Sequence, residues 1–251
     1  MADAPHIPDE AETRARWGGF AFTPENAAQA KTVIARYPEG RQQSAVMALL
    51  DLAQRQVGVE TNTQGWLPVP VIEYVAAQLG MPYMRAYEVV TFYTMYNLAP
   101  VGRYHVQVCG TTPCMLRGAG ELFDVCKRRI HAEPLHVSAD GNYSWEEVEC
   151  LGACVNAPMV LIWNDTYEDL TAESFEKVLD GFVNGKPAKP GPQIDRHFSA
   201  PIGGPTTLTD PALYANGGGG NNTGAALTDR DAKKPGAAAN VRETPAGKPA
   251  T

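Results

Sequence analysis

Long apolar runs are missing from this 251-residue chain. No stretch approaches the ~20 apolar residues that a membrane-spanning helix needs, so any membrane association is expected to run through partners, not direct insertion. A basic surface is missing as well. Lys and Arg number 21 against 28 Asp and Glu, for a formal net charge of −7. The imbalance is uneven: residues 186–251 hold eight Lys/Arg and five Asp/Glu, so residues 1–185 carry −10. An acidic body argues against nucleic acid, whose phosphates demand a basic surface. Phosphate-cradling loops are missing too. No G-x-G-x-x-G or Walker A run stands in a strand-to-helix setting, and Gly118-Ala119-Gly120 has only the first two glycines and follows a cysteine loop. No Ser/His/Asp or paired-carboxylate signature stands out. The first nineteen residues include Asp3, Asp9, Glu10 and Glu12. They fit neither an acid-poor transit peptide nor a secretory leader with its apolar centre, and a flexible leader is expected over 1–19.

Against these absences stand the cysteines. Four of the five lie between Cys109 and Cys154, spaced C-x4-C, then thirty-five residues, then C-x3-C. Each pair can give two thiolates to one centre, and the intervening segment is long enough to fold and bring the pairs together. A C-x-x-C dithiol is absent, which removes the usual redox-active disulfide. Structural disulfides need an oxidising compartment, and no secretory leader is read here. A histidine-ligated Rieske centre needs two histidines near the cysteines; His105 stands alone upstream and reads as an ordinary strand side chain. Two readings remain. A structural Zn(Cys)4 site is the rival, although zinc usually draws on C-x2-C knuckles. A [2Fe–2S] cluster on Cys109, Cys114, Cys150 and Cys154 suits the loops better. Gly110, Thr111 and Thr112 follow the first cysteine, and Gly152 and Ala153 lie inside the second pair. Small residues let backbone N–H groups approach sulfur and offset the charge of such a cluster.

The blocks VTFYTMYNLAPVGRYHVQVCGTTPCMLRG and VECLGACVNAPMVLIWNDTYEDLT closely resemble the small [2Fe–2S] subunit of respiratory NADH:ubiquinone oxidoreductase (complex I), from about Phe20 to Val183. The resemblance implies that Cys109, Cys114, Cys150 and Cys154 are the cluster ligands, and that the fold is of the thioredoxin-like ferredoxin type. It also implies an oxidoreductase subunit that is not catalytic alone and accepts single electrons. FMN and NADH are then expected on a flavoprotein partner subunit, within the peripheral arm of a complex at the cytoplasmic face of a bacterial inner membrane. The equivalent subunit of an NAD-linked hydrogenase or formate dehydrogenase is the alternative within the same chemistry. A zinc adaptor is the alternative outside it.

The expected fold class is α+β: a helical domain over 20–100, a thioredoxin-like [2Fe–2S] domain over 101–185, and a largely disordered tail over 186–251. Thr23 caps a helix starting at Pro24 and running to about Arg36. A second begins near Gly40 or Arg41 and stops at Gly58. A third follows Leu67-Pro68-Val69-Pro70 and ends at Gly80, and a fourth spans about Pro82 to Phe92. Phe92, Tyr93 and Tyr96 read as either junction packing or a partner surface. A strand over Tyr104–Val108 leads to Cys109. A helix from about Gly118 to Ile130 buries Leu122, Cys126 and Ile130 on one face, which makes Cys126 a core thiol. His131 and His136 read as structural. Strands are expected at Leu135–Ser138, Tyr143–Glu149 and Met159–Trp163, and a last helix over Leu170–Asn184 is capped near Thr171. Nineteen of the sixty-six residues from Lys186 onward are Gly or Pro, a composition of disordered chains. The run PGPQIDRHFSAPIGGPTTLTD, however, echoes the extended tail of the family it resembles, and that resemblance implies an ordered arm over about Pro190–Thr209 on the flavoprotein partner, with about Asn216–Thr251 mobile.

One acidic position has a stated consequence. If residues 145–149 are extended, Glu146, Val148 and Cys150 share a face. A carboxylate ~8 Å from the cluster at an effective dielectric of ~20 disfavours the added electron by ~2 kcal/mol, or roughly 90 mV for one electron. Glu146 is therefore expected to lower the potential.

Overall fold

The computed structural model describes residues 8–204 and 206–210. One compact unit runs through Asp195 and a second begins at Arg196. The first unit opens with helices. α1 (Glu10–Trp17) occupies the expected flexible leader. The reason is local: Asp9 caps it by accepting from the Glu12 N–H at 2.8 Å, acids fill its first turn and Arg14 and Arg16 its last, which suits the helix dipole. Arg14 forks onto Glu73 at 3.1 Å through both terminal nitrogens, and Trp17 is buried.

α2 (Pro24–Ile34) starts on the Thr23 cap as expected. A 3₁₀ turn at Gln42–Ala45 leads into α3 (Val46–Thr61), which runs past the expected stop at Gly58 and ends on left-handed Asn62. Gly58 sits inside the helix because the returning chain crosses there: a Cβ would stand 2.8 Å from the Thr63 carbonyl oxygen. α4 (Val69–Gln78) and α5 (Tyr83–Phe92) follow. Leu49, Leu50, Val57, Leu67, Val71, Ile72, Val75 and Val90 form their shared core. Tyr96 belongs to that core, and its hydroxyl donates to the Met47 carbonyl at 2.8 Å.

The sheet has the order β2-β1-β3-β4-β5. β1 (Tyr104–Cys109) is followed by α6 (Thr112–Leu116) and α7 (Ala119–Arg129), then β2 (Tyr143–Val148) parallel to β1. β3 (Val160–Ile162) pairs antiparallel with β1. β4 (Asp165–Glu168) pairs with β3, α8 (Ala172–Val183) follows under a Thr171–Ser174 capping box, and β5 (Gly191–Pro192) pairs parallel with β4. The expected strand at Leu135–Ser138 does not form: Leu135 has φ +63, which breaks extended geometry. The segment still donates to β2, from Leu135 N–H to the Trp145 carbonyl and from Ser138 N–H to the Tyr143 carbonyl, each at 2.7 Å.

α7 and α8 bury Leu122, Val125, Cys126, Phe175, Val178 and Leu179 with Val106, Val108, Val160 and Ile162 of the sheet. Cys126 is thus the core thiol expected of it. Each fully buried side chain of this size contributes about 1.5–3 kcal/mol. Among the described residues no helix is long and apolar enough to cross a membrane. The second unit is described only to Asp210, and the expected mobile stretch from Asn216 lies outside the described residues.

Candidate metal centre

The sheet topology brings the two cysteine pairs to one end. β1 and β2 run parallel with Cys109 opposite Val148, so the loops after both strands leave the same edge. β3 runs the other way with Val160 opposite Val108, so the chain entering it arrives from that edge too. Cys109 closes β1 and Cys114 lies in α6. Cys150 follows β2 in a loop with Gly152 at φ +91, and Cys154 opens a 3₁₀ turn leading to β3.

All five cysteines are free thiols. Cys150 Sγ and Cys154 Sγ lie 3.4 Å apart, and Cys109 and Cys114 hydrogen-bond each other. The pairs also face one another: Cys150 and Cys154 both feel the charge of Cys109, and Cys114 that of Cys154. Burial pushes the Cys109 thiol up, but the Thr111 hydroxyl at 3.3 Å and the Thr111 and Leu151 N–H groups bring it below its usual value. Its partner Cys114 is pushed up to about 12, by burial first and then by the neighbouring Cys109. The second pair divides the same way. The Gly152 N–H and the Cys154 thiol lower Cys150, and Cys154 is raised by donating to it. The Met159 N–H points to Cys114. Backbone donors from Thr111, Leu151, Gly152 and Met159 therefore surround the sulfurs, the compensation an anionic centre requires.

This donor set fits an iron–sulfur cluster. Four thiols from two loops stand two by two, the division that a two-iron unit with two cysteines per iron needs. Among the described residues no three His, Cys, Asp or Glu side chains surround one metal-ion position.

The sequence matches the thioredoxin-like [2Fe-2S] ferredoxin family over residues 30–183. The chain belongs to that family. A NADH-quinone oxidoreductase subunit of Rhizobium meliloti (strain 1021) is 56% identical over 204 residues, covering 80% of this chain and 72% of that protein. The like-named NADH-quinone oxidoreductase subunit of Rickettsia bellii (strain RML369-C) is 53% identical over 165 residues, covering 66% of this chain and 95% of its own. Among solved structures, an NAD+-reducing [NiFe]-hydrogenase in the air-oxidized state is similar over 57% of this chain and 23% of that one, at 16% identity and a TM-score of 0.47.

Within this ferredoxin-family chain the other singled-out residues sort clearly. His105 is buried, with Nδ1 2.7 Å from the Ser144 hydroxyl and Nε2 3.1 Å from Glu146. It plays the structural part expected. His131 and His136 stack on each other at 4.5 Å, away from the cysteines in the chain. Phe92 and Tyr93 are exposed and meet edge to face at 4.9 Å, while Tyr96 is core. Glu146 does not stand as an isolated acid, since Gln107 donates to it at 2.7 Å beside His105. The carboxylate against the first cysteine loop is that of Glu147, which a Cβ on Gly110 would strike. Strand alternation separates Glu146 from Glu147, but the parallel β1–β2 pairing that sets Glu147 opposite Val108 and lets its side chain reach Gly110 is not visible in the sequence. A cavity of about 550 Å³ lined by Thr94, Gly110, Thr111, Thr112 and Glu146–Glu149 opens at this edge.

Proposed function

We propose that this chain is an electron-transfer subunit of an NADH:quinone oxidoreductase of the complex I type. It holds one [2Fe–2S] cluster on Cys109, Cys114, Cys150 and Cys154, beside a flavoprotein subunit that carries FMN and binds NADH. The observation that carries this reading is the meeting of the two thiol pairs at one end of the sheet, with backbone N–H groups turned on their sulfurs. A cluster bound there supplies one-electron redox chemistry. The chain's own residues supply four sulfur donors, shelter for Cys109 and Cys114, and the N–H groups that offset negative charge. The identities of 56% and 53% to NADH-quinone oxidoreductase subunits support the placement in such a complex. The exposed Phe92–Tyr93 pair, with Thr94 beside the cysteine loop, suits a partner surface. Ile194, Phe198, Ile202 and Leu208 are all exposed, which suits an arm lying on the flavoprotein. The complex is assigned to the cytoplasmic face of a bacterial inner membrane, with this chain peripheral.

Purification under nitrogen with metal and sulfide analysis tests the reading. Two iron and two sulfide per chain are expected, with a red-brown spectrum that bleaches on dithionite and a reduced-state EPR signal. A colourless protein with one zinc and no sulfide overturns it. Capture of a flavin-containing subunit by the full chain tests the partner.

A further inference from the structure

Thr111 stands where a helix is usually capped. A threonine before the first turn ordinarily accepts from the N–H two or three residues on. At α6 the first of those donors is missing because Pro113 has no N–H, and Thr111 makes no side-chain capping bond at all. Its hydroxyl turns the other way. Oγ1 lies 3.3 Å from Cys109 Sγ. The hydroxyl thus turns from the helix end to the sulfur that closes β1.

We propose that Thr111 is a tuning residue for the cluster: its hydroxyl donates to the ligand sulfur of Cys109 and raises the reduction potential. The proposal rests on the function proposed above. Reduction adds one electron, and part of the added charge falls on the ligand sulfurs. A hydrogen bond to a more negative acceptor is stronger, so the donor stabilises the reduced state more than the oxidised one, and the potential rises. Thr111 is the lever a substitution can remove, because the Leu151 and Gly152 donors belong to the backbone. The Glu147 carboxylate against Gly110 acts in the opposite sense.

The test is an EPR redox titration of the full-length, anaerobically purified protein and its T111V, T111A and T111S variants, with iron counted in each. T111V and T111A are expected to fall in midpoint by about 59 mV, a tenfold drop in the reduced-to-oxidised ratio for one electron, and T111S to return it to the wild-type value. Full iron with an unchanged midpoint in T111V and T111A overturns the proposal. If those two variants lose iron while T111S keeps it, the hydroxyl holds the cluster instead of tuning it, and the proposal is overturned. Loss of iron in T111S as well overturns it, since the hydroxyl is then present without effect. A colourless wild type overturns the function proposal along with this one, whereas a coloured wild type with indifferent variants overturns this one alone.

Discussion

The two cysteine loops contribute equally to the donor set and differently to the fold. Cys109 and Cys114 are each 1% exposed and sit in an apolar cluster with Ala119, Ala157 and Met159. One ends β1, an inner strand of the sheet, and the other lies in a helix. Cys150 and Cys154 are exposed, on a loop and a 3₁₀ turn. Forming the sheet core therefore places the first pair with no help from a metal. The second pair is held by local hydrogen bonds, and its geometry is completed by whatever it binds. Where a site forms only with its metal, binding free energy becomes folding free energy; here that coupling is confined to the second loop.

The contrast predicts unequal consequences for equivalent substitutions. Serine at any of the four cysteines should abolish the visible absorption of the reconstituted protein. In urea unfolding of the iron-free protein the pairs should part company. Cys114→Ser buries a hydroxyl in place of a thiol and should cost about 1–3 kcal/mol. Cys154→Ser, on the surface, should stay within about 0.5 kcal/mol. Equal losses for the two would erase the distinction between a built half and a completed half.

Glycines sharpen the comparison at a smaller scale. Gly152 holds φ +91 with open space around its missing Cβ, so Gly152→Ala pays only in backbone strain, about 1–2 kcal/mol. The strain falls on the loop that metal must order. Reconstitution should therefore leave a smaller iron-loaded fraction than in wild type, at little cost to the iron-free fold. Gly110→Ala meets the far end of the Glu147 side chain, which can swing away, and should load iron nearly as well as wild type. The reverse ranking by iron content would show that the first loop, and not the second, limits assembly.

How much of this was legible beforehand follows the range of the interactions. Caps are local, and Thr23 and Thr171 cap their helices where the residue pattern puts them. The cysteine spacing foretells two pairs, and sheet pairing brings them together. What escaped depends on distant partners. Tyr96 is core because its hydroxyl finds the Met47 carbonyl, forty-nine residues away. β4 is four residues long and exists through pairing with β3. α1 carried its own cap in Asp9, but its acids read as leader composition until Glu73 supplied Arg14 with a partner. Glu146 reads as a lone acid until β1 lays Gln107 opposite it.

Glu146 gives the smallest expected effect, and it separates electrostatics in the sheet from electrostatics at the thiols. Burial pushes its carboxyl up, yet hydrogen bonds from His105 and Gln107 and the attraction of His105 take it below the ordinary glutamate range. A carboxyl lowered on folding stabilises the protein above its unfolded value, about 4.3, and that contribution is lost as pH falls through the lower folded value. Iron-free Glu146→Gln should therefore lose less stability than wild type between pH ~4.3 and the acid transition, in urea titrations at stepped pH. The midpoint potential of the cluster-loaded Glu146→Gln protein at neutral pH should rise, by much less than the roughly 90 mV of an uncompensated charge ~8 Å away, because the carboxylate is shared between His105 and Gln107. An acid limb identical to wild type would mean that the pair contributes nothing to folding. A midpoint that does not move would confine the electrostatic control of the centre to the groups that touch the cysteine loops.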